Sequence, residues 1–321
     1  MDADGFVVVQ HSKKGKSKFN KRKNQCLIEK NIQLNLQDKE INKQVDENGF
    51  CKKIRQLEEE FSESEFFTRF THYVLASHGL VVQSENKETL HQELHGSANR
   101  ISKIICLGLG NFTSSKQAEY QLVFLNCLVK VLNLNQTKES VSVFDPVHTP
   151  SEAKILNHLG FECNPQDNNL EGRYALKEQK LKETLFYLPH CPKQLTNNIL
   201  WANWSPKSLG STDPKCADNN SLLGLHILGN SFDRITSTFP DRILKDSAEY
   251  ILLCSRFVFE TKVDNCFKFS DIFNDTSLHS FPFDKLPPFD DPVWKVANEK
   301  EPPTYKEDKE FISSNLSNIS K

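Results

Sequence analysis

Four short clusters in this 321-residue chain combine residue types and spacings that suit chemistry. The first is Gly108-Leu109-Gly110-Asn111, directly after the apolar run Ile104–Leu107. A G-x-G turn lets backbone N–H groups approach a ligand, and the N-terminus of a following helix favours negative charge. The second is Asp145, which closes Val141–Phe144. An acid after the second strand of a nucleotide-binding sheet accepts hydrogen bonds from ribose hydroxyls. The third is Pro189-His190-Cys191-Pro192. Imidazole and thiolate both ligate metals and haem iron, so His190 and Cys191 are the candidate haem ligands. The fourth is Gly229-Asn230-Ser231. The amides of Asn111 and Asn230 both donate and accept, which suits a small polar ligand or a turn equally.

Each cluster also has a plainer explanation. Asn111-Phe112-Thr113 follows Gly110, so there is no G-x-G-x-x-G and the turn can be purely steric. Asp145 precedes Pro146, and Asp-Pro starts turns. Neighbours on an extended segment point to opposite sides, so His190 and Cys191 do not pair with each other. A proline-braced loop with His190 on a backbone group is the alternative there. No second Cys/His cluster has zinc-ligand spacing, so no metal site and no catalytic residue is assigned.

The elements around these clusters alternate. Phe66, Phe67, Phe70, Val74 and Leu75 predict a helix over 52–79 that Gly79 ends. Strand patterns follow at Ile104–Leu109, Val141–Phe144, Phe161–Cys163, Thr184–Leu188 and Leu222–Leu228. Between them, Ala118, Leu122, Leu125, Val129 and Leu132 make one helix face, with a capping box predicted from Ser114 to Gln117. Thr149-Pro150-Ser151-Glu152 predicts a second helix start, with Thr149 at the N-cap, Pro150 first and Glu152 third. Further helices are predicted over 193–200 and 241–254, and two last strands over Arg256–Thr261 and Asp271–Phe281. No helix is predicted between the third and fourth strands. The pattern predicts an α/β fold, a mostly parallel Rossmann-like (methyltransferase-like) sheet with helices on both faces. Ligands of such sheets bind at the carboxyl ends of the strands, where the four clusters would meet.

The domain is expected over 51–283, between a basic, polar, disordered tail at 1–50 and a flexible tail at 284–321. The net charge of -2 excludes a general polyanion binder. The run Lys13–Lys23 is locally basic, a nuclear-targeting or nucleic-acid arm or simply a solvated tail. Phe6–Val9 suits a short docked strand. No run approaches the ~20 apolar residues of a membrane span. Nine cysteines without C-x-x-C pairs read as reduced thiols, hence a cytoplasmic protein with nuclear entry through the basic run.

Taken in order, ICLGLGNFTSSKQAEYQL, VFDPVHTPSEAKILNHLGF, TLFYLPHCPKQLTNNILWANW, ILGNSF and FNDTSLHSFP resemble the sensitivity-to-red-light-reduced, or SRR-like, family. The resemblance covers roughly 60–285. It implies links to circadian-clock input and light signalling in plants, to clock-gene expression and haem biosynthesis in animals, and to cytoskeletal and protein-turnover phenotypes in fungi. It brings no reaction. Its motif positions here are Gly108, Gly110, Asn111, Asp145, Pro146, Pro189, His190, Cys191, Pro192, Asn203, Asn230 and Ser231. Two functions follow. One is a regulatory protein that acts through protein partners and senses a small ligand, haem or a nucleotide, at the strand ends. The other is a methyltransferase-like enzyme. There Gly108 and Gly110 approach S-adenosylmethionine, Asp145 binds its ribose, and His190 or Asn230 faces the acceptor.

Overall fold

The computed structural model describes residues 45–81, 100–134, 140–163, 172–176, 183–205, 221–298 and 301–305. Phe6–Val9, the basic run Lys13–Lys23 and most of the loop at 164–172 lie outside these residues. One mixed sheet organises the described part. Its strands are β1 (Ile101–Leu107), β2 (Val141–Phe144), β3 (Glu162–Cys163), β4 (Glu183–Tyr187), β5 (Leu225–Asn230), β6 (Phe259–Lys262) and β7 (Thr276–Ser280). Their order is β3-β2-β1-β4-β5-β7-β6. All neighbours are parallel except β7, which runs antiparallel to both β5 and β6.

The central strands read as continuous apolar runs because both sheet faces are covered. Alternate residues of β4 divide between them. Tyr187 points to a phenylalanine-rich face, with its ring 5.6 Å from Phe124. Phe61, Phe66, Phe267 and Phe273 continue that cluster. Phe186 and Leu188 face the other way, onto Ile199, Trp204, Phe232 and Ile251. Fully burying one such side chain stabilises by about 1.5–3 kcal/mol, so these two clusters dominate the fold.

Helices α1 (Glu47–Ser62), α2 (Glu65–Arg69) and a π-helical turn (Phe70–Leu75) replace the single helix expected over 52–79. Ser64 is the cause: its hydroxyl accepts from Phe67 N and donates to Phe61 O, ending one helix and starting the next. Helix α3 (Lys116–Val131) follows β1. Its cap is Ser115, which accepts from Ala118 N, not Ser114. Gln117 reaches Asp271 O instead of completing a capping box. Helix α4 (Pro150–His158) has the capping box expected of Thr149 and Glu152, and Gly160 at φ 88° follows its end.

Helix α5 (Lys193–Ala202) follows β4. A short helix, α6 (Phe232–Thr238), follows β5 and has no counterpart in the sequence-based expectation. The helix expected over 241–254 is two, α7 (Asp241–Ser247) and α8 (Glu249–Cys254). The chain breaks at Ala248, and Asn197 Oδ1 accepts from Tyr250 N at 2.8 Å, satisfying a donor that the break exposes.

The packed body also continues past residue 283. Trp294 is buried, its Nε1 donates to Pro288 O, and its ring lies 5.8 Å from Trp204. Tyr305 packs on the same cluster. Trp294 and Tyr305 thus anchor described residues within the stretch expected as a flexible tail. A short helix, α9 (Lys295–Asn298), lies between them. Among the described residues no helix is long and apolar enough to cross a membrane.

Candidate functional site

The parallel strands bring the four clusters to one rim, at the carboxyl ends of β1, β2, β4 and β5. Gly108 and Gly110 have φ of 71° and 77°, the left-handed region that glycine enters without strain. Gly110 N donates to Asp145 Oδ2 at 2.7 Å, and Val147 N donates to Asp145 Oδ1 at 2.9 Å. The acid thus ties the glycine turn to its own Asp-Pro turn. A Cβ on Gly108 would overlap Cys191 Sγ. That glycine makes room for a thiol of the same chain.

Cys191 is buried, and its Sγ donates to Leu107 O at 3.1 Å. Burial, and then the charge of Asp145, push this thiol well above its ordinary value. The thiol expected as a haem ligand is thus turned into the packed interior and bonded to the backbone rather than presented at the rim. His190 is exposed, at φ 51°, and its Nε2 lies 2.9 Å from Ile272 O. It sits on the backbone, as the plainer explanation has it. Cys191 is thus turned inward while His190 stays outside.

The two amides are also engaged. Asn230 Nδ2 donates to Cys191 O at 2.8 Å, joining the β5 end to the β4 end. Asn111 Oδ1 accepts from Ser114 N at 3.2 Å and from Ser114 Oγ at 2.7 Å. Ser231 is the N-cap of α6, accepting from Arg234 N at 3.0 Å. Its hydroxyl donates to Glu260 Oε1 at 2.6 Å. Burial alone would raise Glu260, but hydrogen bonds from His279 and Ser231 outweigh it and hold the carboxyl down at about 2.

Two further residues belong to this rim, one marked by the sequence only as a capping residue and the other not at all. Glu152 is fully buried. Its Oε1 accepts from Thr113 N and Thr113 Oγ1, both at 3.0 Å. Its Oε2 accepts from Thr149 N and Thr149 Oγ1. The capping pattern at Thr149 pointed to the second pair of bonds only. His148 stacks edgewise on Phe112, 5.6 Å between centroids, and burial lowers it against the pull of Asp145 and Glu152. Nothing in its sequence neighbourhood marked it.

The SRR1 domain model matches residues 86–280, more than half of the chain and all four clusters. This chain belongs to the SRR1 family. The SRR1-like protein of Drosophila melanogaster is 30% identical over 200 residues, 62% of this chain and 62% of that protein. The SRR1-like protein of Mus musculus is 32% identical over 160 residues, 50% of this chain and 56% of that one. The Arabidopsis thaliana protein Sensitivity to Red Light Reduced 1 is 27% identical over 184 residues, 56% of this chain and 58% of that one. The chain thus aligns with about three fifths of the length of these SRR1 relatives. No solved structure matches this SRR1-family chain.

Proposed function

We propose that this chain is a regulatory, non-catalytic member of the SRR1 family that acts through protein partners. Its setting would be clock input and clock-gene expression, with an effect on haem biosynthesis that does not require haem at Cys191. It would work in the cytoplasm, and in the nucleus by way of Lys13–Lys23. A plant relative named for red-light sensitivity supports a signalling role. One observation carries the non-catalytic part. The rim groups marked by the sequence are spent within the chain, Asp145 on Gly110 and Val147, Cys191 on Leu107, Asn230 on Cys191, and the nitrogens of the one other rim imidazole, His148, are buried away from substrate. General acid–base work needs a group free to meet substrate.

Rescue of a clock-gene reporter in cells lacking the endogenous protein tests this. His190→Asn keeps the left-handed backbone and removes the imidazole. Chains carrying it are expected to restore rhythm as well as the natural chain. A folded His190→Asn chain that fails to rescue, together with saturable S-adenosylmethionine binding, would overturn the proposal.

A second function has its own support. The order β3-β2-β1-β4-β5-β7-β6, with β7 reversed, supports the reading as a methyltransferase-like sheet. In that reading Gly108, Gly110 and Asp145 would hold S-adenosylmethionine at the strand ends. The fit is incomplete, because both Asp145 oxygens already accept backbone N–H groups. Fold alone does not assign a reaction. A rise in melting temperature with S-adenosylhomocysteine, lost in Asp145→Ala, would favour this function.

A further inference from the structure

The opposite edge of the sheet is built differently. The amino ends of β4 and β5 and the carboxyl end of β7 border a cavity of about 600 Å³. Pockets for small ligands typically measure about 300–1,000 Å³. His226 lines this one and is only 4% exposed. Its Nε2 lies 2.8 Å from Glu183 Oε2, while its Nδ1 is buried and has no hydrogen-bond partner. Arg100 closes the triad, with Nε and Nη2 at 3.0 and 2.6 Å from Glu183 Oε1.

Chemistry fixes what this triad presents. Burial would raise Glu183, but the bonds from His226 and Arg100 outweigh it and hold the carboxyl below its ordinary range. An ionised carboxylate only accepts, so His226 Nε2 donates to it and Nδ1 is the ring nitrogen left without a partner. A buried imidazole nitrogen without a partner is costly, and a ligand hydroxyl, which both donates and accepts, would relieve that cost.

The rest of the wall adds two properties. Phe259, Phe281 and Phe283 make it aromatic, and Phe283 is 66% exposed at the mouth. Lys285 Nζ lies 4.7 Å from the Phe259 ring centroid, and with Arg100 it supplies positive charge. Arg100 is committed to Glu183, which leaves the exposed Lys285 ammonium to face a ligand anion, and the nearby carboxylates disfavour more than one negative charge. His78 adds no charge. Its two nitrogens contact Ser280 Oγ and Thr261 Oγ1, and burial lowers it to about 3.

We propose that this cavity binds a small aromatic acid carrying a hydroxyl group. The hydroxyl meets His226 Nδ1, the ring packs on Phe259 and Phe283, and the anionic group faces Lys285. This site is separate from the carboxyl rim and does not depend on the regulatory proposal.

The test is calorimetric titration of the full chain with para-hydroxybenzoate and, separately, with benzoate, which lacks the hydroxyl. Saturable binding is expected, with para-hydroxybenzoate about tenfold tighter, the size of one hydrogen bond to a buried group. Lys285→Glu, a change on an exposed residue, should weaken both acids about tenfold or more. His226→Phe should abolish the preference for the hydroxyl. If that variant does not fold, Lys285→Glu still decides. No saturable heat, equal affinity for the two acids, or unaltered binding in Lys285→Glu would overturn the proposal.

Discussion

The two edges of one sheet solve opposite problems. At the carboxyl rim, loops that are far apart in sequence meet and bond to each other. At the amino edge, a comparable set of polar and aromatic groups surrounds a cavity. Each edge keeps buried imidazole nitrogens without a partner, both of His148 at the rim and Nδ1 of His226 at the amino edge. Polar residues that converge do not by themselves make a binding site. The difference lies in the space between them: the rim loops close on one another, and the amino-edge groups line a cavity.

The strongest way to break this comparison is to deny the rim its fit. Gly108→Ala adds a Cβ that overlaps Cys191 Sγ at a φ of 71°. It should destabilise by about 2–4 kcal/mol. In the double variant with Cys191→Ala the steric part disappears, so denaturant melts should show a non-additive, smaller loss. Strict additivity would mean that the glycine is needed for another reason.

Glu152→Gln comes next. It turns an acceptor-only group, with bonds from Thr113 and Thr149 on its two oxygens, into one that presents an N–H₂ to donors. A loss of about 1–3 kcal/mol is expected in urea melts. A neutral result would show that the link between the glycine turn and α4 contributes little.

Acid separates the two edges. His78, at the amino edge, is held at about 3, below its ordinary 6.5. The unfolded chain therefore binds a proton there that the folded chain refuses, and stability falls as pH drops from about 6.5 towards 3. Glu260, at the rim, is held at about 2, and its contribution, full above about 4.5, is lost as pH falls towards 2. His78→Asn should flatten the stability profile between about pH 6.5 and 3, while the loss tied to Glu260 below about 4.5 persists. An unchanged upper limb would contradict the burial of a neutral ring. The smallest effect belongs to Phe283→Ala, at the exposed cavity mouth. Stability should change by less than about 0.5 kcal/mol, while affinity for the aromatic acid drops severalfold.

Much of this was legible in the sequence. Val141–Phe144 and the Thr149 cap stood where periodicity and capping chemistry placed them, because both signals are local. The convergence of Gly108, Asp145, Cys191 and Asn230 followed from the alternation of strands and helices. What those groups bond to did not, since Asp145 to Gly110 spans 35 residues and Asn230 to Cys191 spans 39. The amino-edge triad was invisible for the same reason. Arg100, Glu183 and His226 sit singly at strand starts, Glu183 and His226 each one residue before a motif whose own chemistry lies at the opposite strand end. Breaks such as Ala248 escaped because the residue that compensates them, Asn197, lies on another helix.

The central claim is that the loops of the carboxyl rim close on one another at the glycine turn, while the amino edge holds an open cavity. Amide chemical-shift mapping of the full chain, with S-adenosylmethionine and para-hydroxybenzoate added separately, tests it most directly. The account expects saturable shifts at Leu225, His226 and Phe281 with the aromatic acid, and none at Gly108 or Gly110 with S-adenosylmethionine. Saturable shifts at the two glycines, with a silent amino edge, would contradict it.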